Sequence, residues 1–261
     1  MKIMVLIKKT PDTEAKIELN GSLLNTKDVK YIVNPYDEFA IEEALKIREQ
    51  KGSGEVIIAS FGSADTRELI VKGLAMGADR GLLIDNAGLE EADSLTIAKI
   101  LRAAISAEKP DLVLCGKQAI DDDNMHVPLM IAELLGWAHC NVVTKLAVDG
   151  QTLQAEREVE GGQVEVYKIA LPAVIGAHKS LNTPRYASLP GIMKAKKKPL
   201  DTKFVTDFGL NAESLKTGAK IKVTGYRRPA EKPQGKLFKG QDLGQMVKNV
   251  VQLLRDEAKV I

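Results

Sequence analysis

Apolar positions along this chain recur in two alternating patterns. Residues 2–9, "KIMVLIKK", form a short unbroken apolar run, the pattern of a strand buried on both faces. Residues 34–52, "NPYDEFAIEEALKIREQKG", then read as a helix. Phe39, Ala40, Ala44, Leu45 and Ile47 supply its apolar positions, acids fill its first turns, and Gly52 follows its end. "EVIIASFG" (55–62) is the next predicted strand, and a helix follows over about 64–76, with Leu69, Ile70, Gly73 and Leu74 available for packing and Gly77 closing it. "GLLID" (81–85) predicts a third strand. "ADSLTIAKILRAAISAEKP" (92–110) predicts a helix through Leu95, Ala98, Ile100, Leu101 and Ile105 that Pro110 stops, and "DLVLCG" (111–116) a fourth strand. Strand and helix in repeated alternation imply an α/β fold with parallel strands joined by right-handed crossovers.

The pattern changes after Trp137. Residues 141–177 read as consecutive strands with turns at Asp149-Gly150 and Gly161-Gly162, dipeptides that favour hairpins, so antiparallel strands are expected to extend the sheet. From Lys179 to about Gly240 the sequence is loop-like, punctuated by Pro184, Pro190, Pro199, Pro229 and Pro233. A last helix is predicted from about Gln241 to Glu257, with Leu243, Met246, Val247, Val250 and Leu254 along one face. The expected organisation is a body over residues 1–178 and a long C-terminal arm over 179–261, an arm that should dock on something.

The length of 261 residues gives ample core-forming sequence, and aromatics at 4% favour α/β over an antiparallel sandwich. Net charge is close to +2, so no global polyelectrolyte role follows. Locally the balance differs: residues 179–203 carry seven basic side chains (Lys179, Arg185, Lys194, Lys196, Lys197, Lys198, Lys203) against the single acid Asp201. No aromatic stacking platform accompanies "KAKKK", which argues against nucleic acid. Cys115 and Cys140 lie in apolar contexts without metal-ligand spacing and read as buried reduced thiols. The N-terminal apolar run is too short for a signal peptide and no stretch reaches membrane-spanning length; a reducing cytoplasm is the expected location.

The stretch "LCGKQAIDDDNMHVP" (114–128) carries the chemistry. It leaves a predicted strand at Gly116 and reaches Pro128, which suits the first turn of a helix. Ligands of open α/β sheets bind past the carboxyl ends of strands, and the free N–H groups of a helix's first turn attract anions. Gly116 allows close approach to the backbone. Three aspartates beside a phosphate would repel it by about 1 kcal/mol per contact at ~4 Å in water, and more at lower dielectric. They are therefore expected to turn outward, to cap the helix through Asp123 or Asn124, or to pair with Lys117. A calcium loop does not fit the spacing, although a Mg²⁺ or Ca²⁺ site and a plain capped loop remain open on the residues alone. None of His126, His139 and His178 has a recognisable nucleophile or base partner, and neither GxSxG, HExxH nor a P-loop is present. No catalytic residue is assigned.

Three segments together, "VNPYDEFAIEEALKIRE" (33–49), "CGKQAIDDDN" (115–124) and "LNTPRYASLPGIMKAKKKPL" (181–200), resemble the β subunit of electron transfer flavoproteins, as do "LAMGADRG" (74–81) and "KIMVLIKKTPD" (2–12). The resemblance spans nearly the whole chain. It implies a doubly wound, adenine nucleotide alpha hydrolase-like sheet and a heterodimer with an α subunit that holds most of one FAD. It also implies electrons arriving from acyl-CoA dehydrogenases or related flavoenzymes and leaving to a membrane quinone oxidoreductase, in a bacterial cytoplasm or a mitochondrial matrix. In the ordinary branch the β subunit buries a structural AMP. Carried over by motif, AMP would be contacted by Leu6, by Asn34, Pro35, Tyr36 and Asp37, and by Phe61. The remaining contacts would come from Gly116, Lys117, Gln118, Ala119, Ile120, Asp121, Asp122, Asp123, Asn124, Met125, His126 and Val127. Taken as local structure alone, "NPYDE" is a helix start with Asn34 or Asp37 as its cap.

Met125, His126 and Val127 replace the Gln and small polar residues common in related proteins, and Phe61 brings an aromatic that could stack on adenine. The third segment resembles the loop that grips dehydrogenase partners. It implies partner contacts from Pro184, Arg185, Tyr186, Leu189, Pro190, Ile192 and Met193, with Leu189 as the inserted anchor. An electron-bifurcating relative, with a second FAD in place of AMP, is the rival reading. Ser94 and Thr96 are hydroxyls of interest for it.

Overall fold

The computed structural model describes residues 1–232, 234–240 and 242–261. In chain order the elements are β1 (Lys2–Leu6), β2 (Lys9–Pro11), β3 (Glu18–Asn20), β4 (Leu23–Asn25), β5 (Tyr31–Val33), α1 (Pro35–Lys51), β6 (Glu55–Gly62), α2 (Thr66–Met76), β7 (Arg80–Asp85) and α3 (Ser94–Glu108). There follow β8 (Leu112–Gly116), α4 (His126–Leu135), β9 (Ala138–Asp149), β10 (Thr152–Val159), β11 (Gln163–Ala170), β12 (Ala173–Ala177), α5 (Leu189–Ala195), β13 (Leu200–Lys203), α6 (Ala212–Thr217) and α7 (Leu243–Asp256).

Nine strands form one sheet in the order β11-β10-β9-β12-β8-β1-β6-β7-β13. All neighbours from β9 to β13 run parallel, and β9, β10 and β11 extend the sheet antiparallel. The central strands are apolar without a break because both faces are covered. Ile3 and Val5 of β1 point into a cluster with Ile41, Leu45, Ile70 and Leu74 from α1 and α2. Met4 and Leu6 point the other way, to Ile100, Ile105 and Ile131 from α3 and α4. Alternate side chains of one strand thus anchor opposite helical layers. The outermost strand, β11, is exposed at nearly every position.

The expected α/β class, parallel body and antiparallel additions are present, with the hairpin turns at Asp149-Gly150 and Gly161-Gly162. Both cysteines are buried and free. The expectation of a loop from Lys179 to Gly240 needs correcting. That stretch contains α5, α6 and β13, and β13 pairs with β7 to form a sheet edge. Such short elements carry little periodicity, and only packing on the body identifies them. Two compact units divide at Gly225/Tyr226, so residues 179–225 belong to the first. The second, Tyr226–Ile261, contains α7, whose N-cap Asp242 accepts from the Gly244 N–H at 3.0 Å and whose Leu243, Val247, Val250 and Leu254 are exposed. Pro233 and the expected helix start at Gln241 lie outside the described residues. Among the described residues no helix is long and apolar enough to cross a membrane.

Candidate functional site

The chain travels from β1 to β6 and β7 on one side, then returns to place β8 on the other side of β1. The helices after β1 and β7 cover opposite faces, so the carboxyl ends of β1 and β8 part to leave a crevice. A cleft lies there, lined by residues of β1, α1, β8, α3 and the start of α4. Leu6, Ile7, Phe61, Ile97, Leu101 and Met125 give it largely apolar walls, while Lys8, Asn34, Asp37, Gln118, Asn124 and His126 bring polar groups to it.

Two residues at the start of α1 hold the cleft's edges together. The buried Asp37 carboxylate accepts from the backbone N–H of Lys8 at 2.7 Å, from that of Gly116 at 2.8 Å and from the Asn34 amide at 2.9 Å. It therefore ties the end of β1 to the end of β8. Burial pushes the Asp37 carboxyl up to about 7, against the downward pull of these donors and of the Lys8 charge. Asn34 reaches the loop after β8: its amide also donates to the Gln118 carbonyl at 2.9 Å, and its oxygen accepts from the Ile120 N–H at 3.2 Å. Neither side chain caps α1, contrary to the local expectation, because both are committed across the cleft. A Cβ at Gly116 would stand 2.5 Å from Asp37 Oδ1 and 2.6 Å from Tyr36 Cβ. The close approach that requires glycine is thus made by α1.

The aspartates take other partners than Lys117, and they do not all turn outward: Asp122 lines the cleft and accepts from the Asn124 N–H of its own loop at 3.2 Å. Lys8 Nζ donates to Asp121 at 2.8 Å and to Asp122 at 3.1 Å, while Asp123 accepts from the Gln118 amide. Lys117 lies over the Tyr36 ring instead, 5.2 Å from its centroid. The expected capping of α4 by Asp123 or Asn124 is also absent. Its N-cap is Met125, in the left-handed region with φ 56° and no side-chain cap bond. Asp123, with φ 52°, adds a second left-handed residue. Such conformations cost about 1 kcal/mol or more apiece and persist only where the surroundings enforce them. A left-handed residue leading directly into a helix turns successive N–H groups toward one concavity, and the first-turn N–H groups of His126 and Val127 have no intrahelical partner.

Leu6, Asn34, Asp37, Phe61, Gly116, Gln118, Ala119, Asp122, Asn124, Met125, His126 and Val127 line the cleft. Pro35, Tyr36, Lys117, Ile120, Asp121 and Asp123 stand behind the wall or on the rim, where Tyr36, Lys117 and Asp121 make the contacts just given. Sequence reasoning missed Ile7, Lys8, Ile97, Leu101 and Cys115 as lining residues. Ile97 and Leu101 are one helical turn apart on α3, a signal that fitted core packing equally well. Of the two hydroxyls noted on α3, Ser94 lines the cleft, whereas Thr96 is buried and its N–H is capped by Asp93 at 2.8 Å.

Comparison with known proteins bears on what this cleft belongs to. Residues 22–207 match the electron transfer flavoprotein domain. The chain is 41% identical to the electron transfer flavoprotein subunit beta of Bradyrhizobium diazoefficiens and 40% identical to that of Bacillus subtilis, in both cases over the whole of each chain. It is 37% identical to the Homo sapiens protein of the same description, over 96% of this chain and 98% of that one. The chain belongs to the electron transfer flavoprotein family. Its likeness is to the β subunits, and its function lies in electron transfer.

The other segment of interest in this electron transfer flavoprotein chain runs from residue 182 to residue 198. Arg185 was expected to face a partner, but it binds inward. It donates to Glu42 through its backbone N–H at 3.1 Å and through Nε at 2.8 Å, and its guanidinium also reaches Glu49 at 2.6 Å. Hydrogen bonding to the two carboxylates raises its already high pKa, and Arg185 in turn lowers that of Glu49. At the far end Lys198 donates to the carbonyls of Leu74 and Ala78, closing the end of α2. Between these fastenings, Ser188 caps α5 by accepting from the Gly191 N–H at 3.2 Å. Tyr186, Leu189 and Met193 are then 98%, 79% and 73% exposed, and Ile192 is exposed beside them.

Proposed function

We propose that this chain is the β subunit of a heterodimeric electron carrier, that its cleft holds one structural AMP, and that residues 184–193 dock the flavoenzyme that reduces the carrier. The observation that carries the nucleotide reading is the cleft at the β1/β8 crevice, whose loop is fixed by Asn34 and Asp37 and whose aspartates pair with Lys8 and Gln118. The residues suit an adenine nucleotide. Apolar walls with Phe61 receive the base, and the N–H groups of His126 and Val127 at the start of α4 donate to a phosphate.

The FAD, held mainly by the α subunit, supplies the redox chemistry. This chain contributes shape and docking and is not itself a catalyst. Acyl-CoA dehydrogenases or related flavoenzymes are the donors, a membrane quinone oxidoreductase is the acceptor, and the compartment is a bacterial cytoplasm or a mitochondrial matrix. Nucleic acid is not a partner. The terminal helix α7 docks on the α subunit through its exposed apolar face. Burying Leu189 in a partner's pocket contributes about 1.5–3 kcal/mol, enough to anchor a complex that must also release.

Co-expression with an α subunit, acid release and chromatography of the bound nucleotides test this reading. One FAD with one AMP supports it. Two FAD without AMP would replace it with the bifurcating alternative, in which Ser94 on the cleft wall faces the second flavin.

A further inference from the structure

We propose that Asn141, carried on a bulge of β9, is a positioning residue for the bound nucleotide: it fixes the peptide group between Lys117 and Gln118 so that the Gln118 N–H faces the cleft. This rests on the reading of the cleft as an adenine-nucleotide site. Asn141 does not itself line the cleft, and it acts through the main chain.

The first turn of chain past β8 is held from two sides. On the β1 side, the Gly116 N–H donates to Asp37 and the Gln118 carbonyl accepts from the Asn34 amide. On the other side, the Lys117 N–H donates to the Ala177 carbonyl of β12 at 2.9 Å, and the Lys117 carbonyl accepts from Asn141 Nδ2 at 3.2 Å. The Lys117 carbonyl and the Gln118 N–H belong to one peptide group, and in a trans peptide they point in opposite directions. A carbonyl drawn toward β9 therefore turns that N–H back toward the crevice, where Gln118 lines the cleft. Among the described residues the Gln118 N–H has no acceptor, so it is a donor left for a ligand.

The strands behind the cleft are irregular in a way that serves this one contact. Cys140 pairs with Ile175 and Val143 with Ala177, so β9 carries an extra residue against β12. Bulges of this kind re-aim side chains. The residue after Asn141 is Val142, at φ 62°, a conformation that is costly for a β-branched side chain. Asn141 is buried, and its Oδ1 has no donor. It crosses β12 at Gly176, where an added Cβ would overlap Asn141 Oδ1 and stand 2.8 Å from Asn141 Cγ. A strained valine, a half-satisfied buried amide and a glycine inside a central strand each lower stability. All three surround a side chain whose one hydrogen bond goes to the cleft loop. A core position would be served better by an apolar residue in a regular strand.

The test measures the affinity of the full chain for AMP by equilibrium dialysis, with thermal melting alongside, in the unaltered protein, in Asn141→Ala, in Gly176→Ala and in the double variant. Asn141→Ala should weaken AMP binding about fivefold, the worth of one well-placed hydrogen bond. Gly176→Ala should weaken it by a similar factor, because its methyl group displaces Asn141. In the double variant that space is free, and the loss should be no greater than in Asn141→Ala alone. A folded Asn141→Ala chain that binds AMP as tightly as the unaltered one, with only its melting temperature lowered, overturns the inference and leaves the nucleotide site standing. A double variant whose loss is the product of the two single losses also overturns it, since Gly176 would then act independently of Asn141. If Gly176→Ala does not fold, the affinity of Asn141→Ala decides alone. If the unaltered chain does not bind AMP, the reading of the cleft falls, and the inference with it.

Discussion

Residues 117–125 and residues 182–188 both leave regular structure, and they differ in what their side chains do. In the first segment the side chains are fasteners. Gln118 holds Asp123, Asp121 and Asp122 hold Lys8, and Asp122 also takes the Asn124 N–H, which fixes the loop's shape beside the cleft. The second is fastened by Arg185 and, beyond α5, by Lys198, and Tyr186, Leu189, Ile192 and Met193 between them are exposed. A recessed small-molecule site needs a backbone in a fixed shape, which takes polar side chains spent internally. A transient docking site needs exposed apolar surface on a segment that does not have to be ordered at the moment of contact. The same chemistry, carboxylates with cationic or amide donors, serves both ends.

Substitutions that break the fasteners should separate the two regions. The largest effect is expected at Asp37→Ala. It leaves the Lys8 and Gly116 N–H groups and the Asn34 amide without their acceptor, at a cost of about 3–5 kcal/mol in urea unfolding, and empties the cleft of nucleotide. The pH dependence has a defined sign. Asp37 titrates at about 7 in the folded chain, above the ordinary carboxylate value, so the folded state binds the proton more tightly than the unfolded state. Its contribution to stability is complete below about pH 4 and is lost as the pH rises toward 7. Asp37→Asn should flatten that part of the stability profile between pH 5 and pH 8, and an unaltered slope would remove Asp37 as its source.

Arg185→Ala should come next. It strands the buried Glu42 and releases Glu49, costing about 2 kcal/mol after allowance for the exposure of the arginine. Limited proteolysis between residues 182 and 188 should speed up, with nucleotide content unchanged. Gly116→Ala should do the reverse. Its methyl group would press on Asp37 and Tyr36, costing about 1–3 kcal/mol and lowering nucleotide content, while the docking segment keeps its resistance to protease. The smallest effect on stability belongs to Leu189→Ala, within about 0.5 kcal/mol, because the side chain is exposed. Its consequence should be kinetic, a KM for the carrier in reduction by its donor that rises on the order of tenfold, with flavin content and assembly intact.

Much of the scaffold is legible in the sequence because its signals are local. Gly52, Gly77 and Pro110 stop helices, and Asp-Gly and Gly-Gly mark hairpins. The return of β12 to a place between β8 and β9 is a non-local pairing that no local pattern encodes. The same holds for the site. The segment 116–127 stands out through its glycine, its aspartates and its proline, but the cation that holds the aspartates is Lys8, 113 residues from Asp121. Lys117 was the natural choice by proximity along the chain, and the fold sends it to Tyr36 instead. The capping roles expected of Asn34, Asp37 and Asp123 failed for a related reason. Each of these residue types caps helices well, and each has here a longer-range partner.

The claim that the main chain of residues 116–127 holds an adenine nucleotide is tested most directly by amide hydrogen exchange across that loop, with and without AMP. The account predicts that AMP slows exchange at His126 and Val127 above all, with lesser protection back to Gly116 and none at residues 182–193. Exchange at His126 and Val127 that is indifferent to saturating AMP would contradict it.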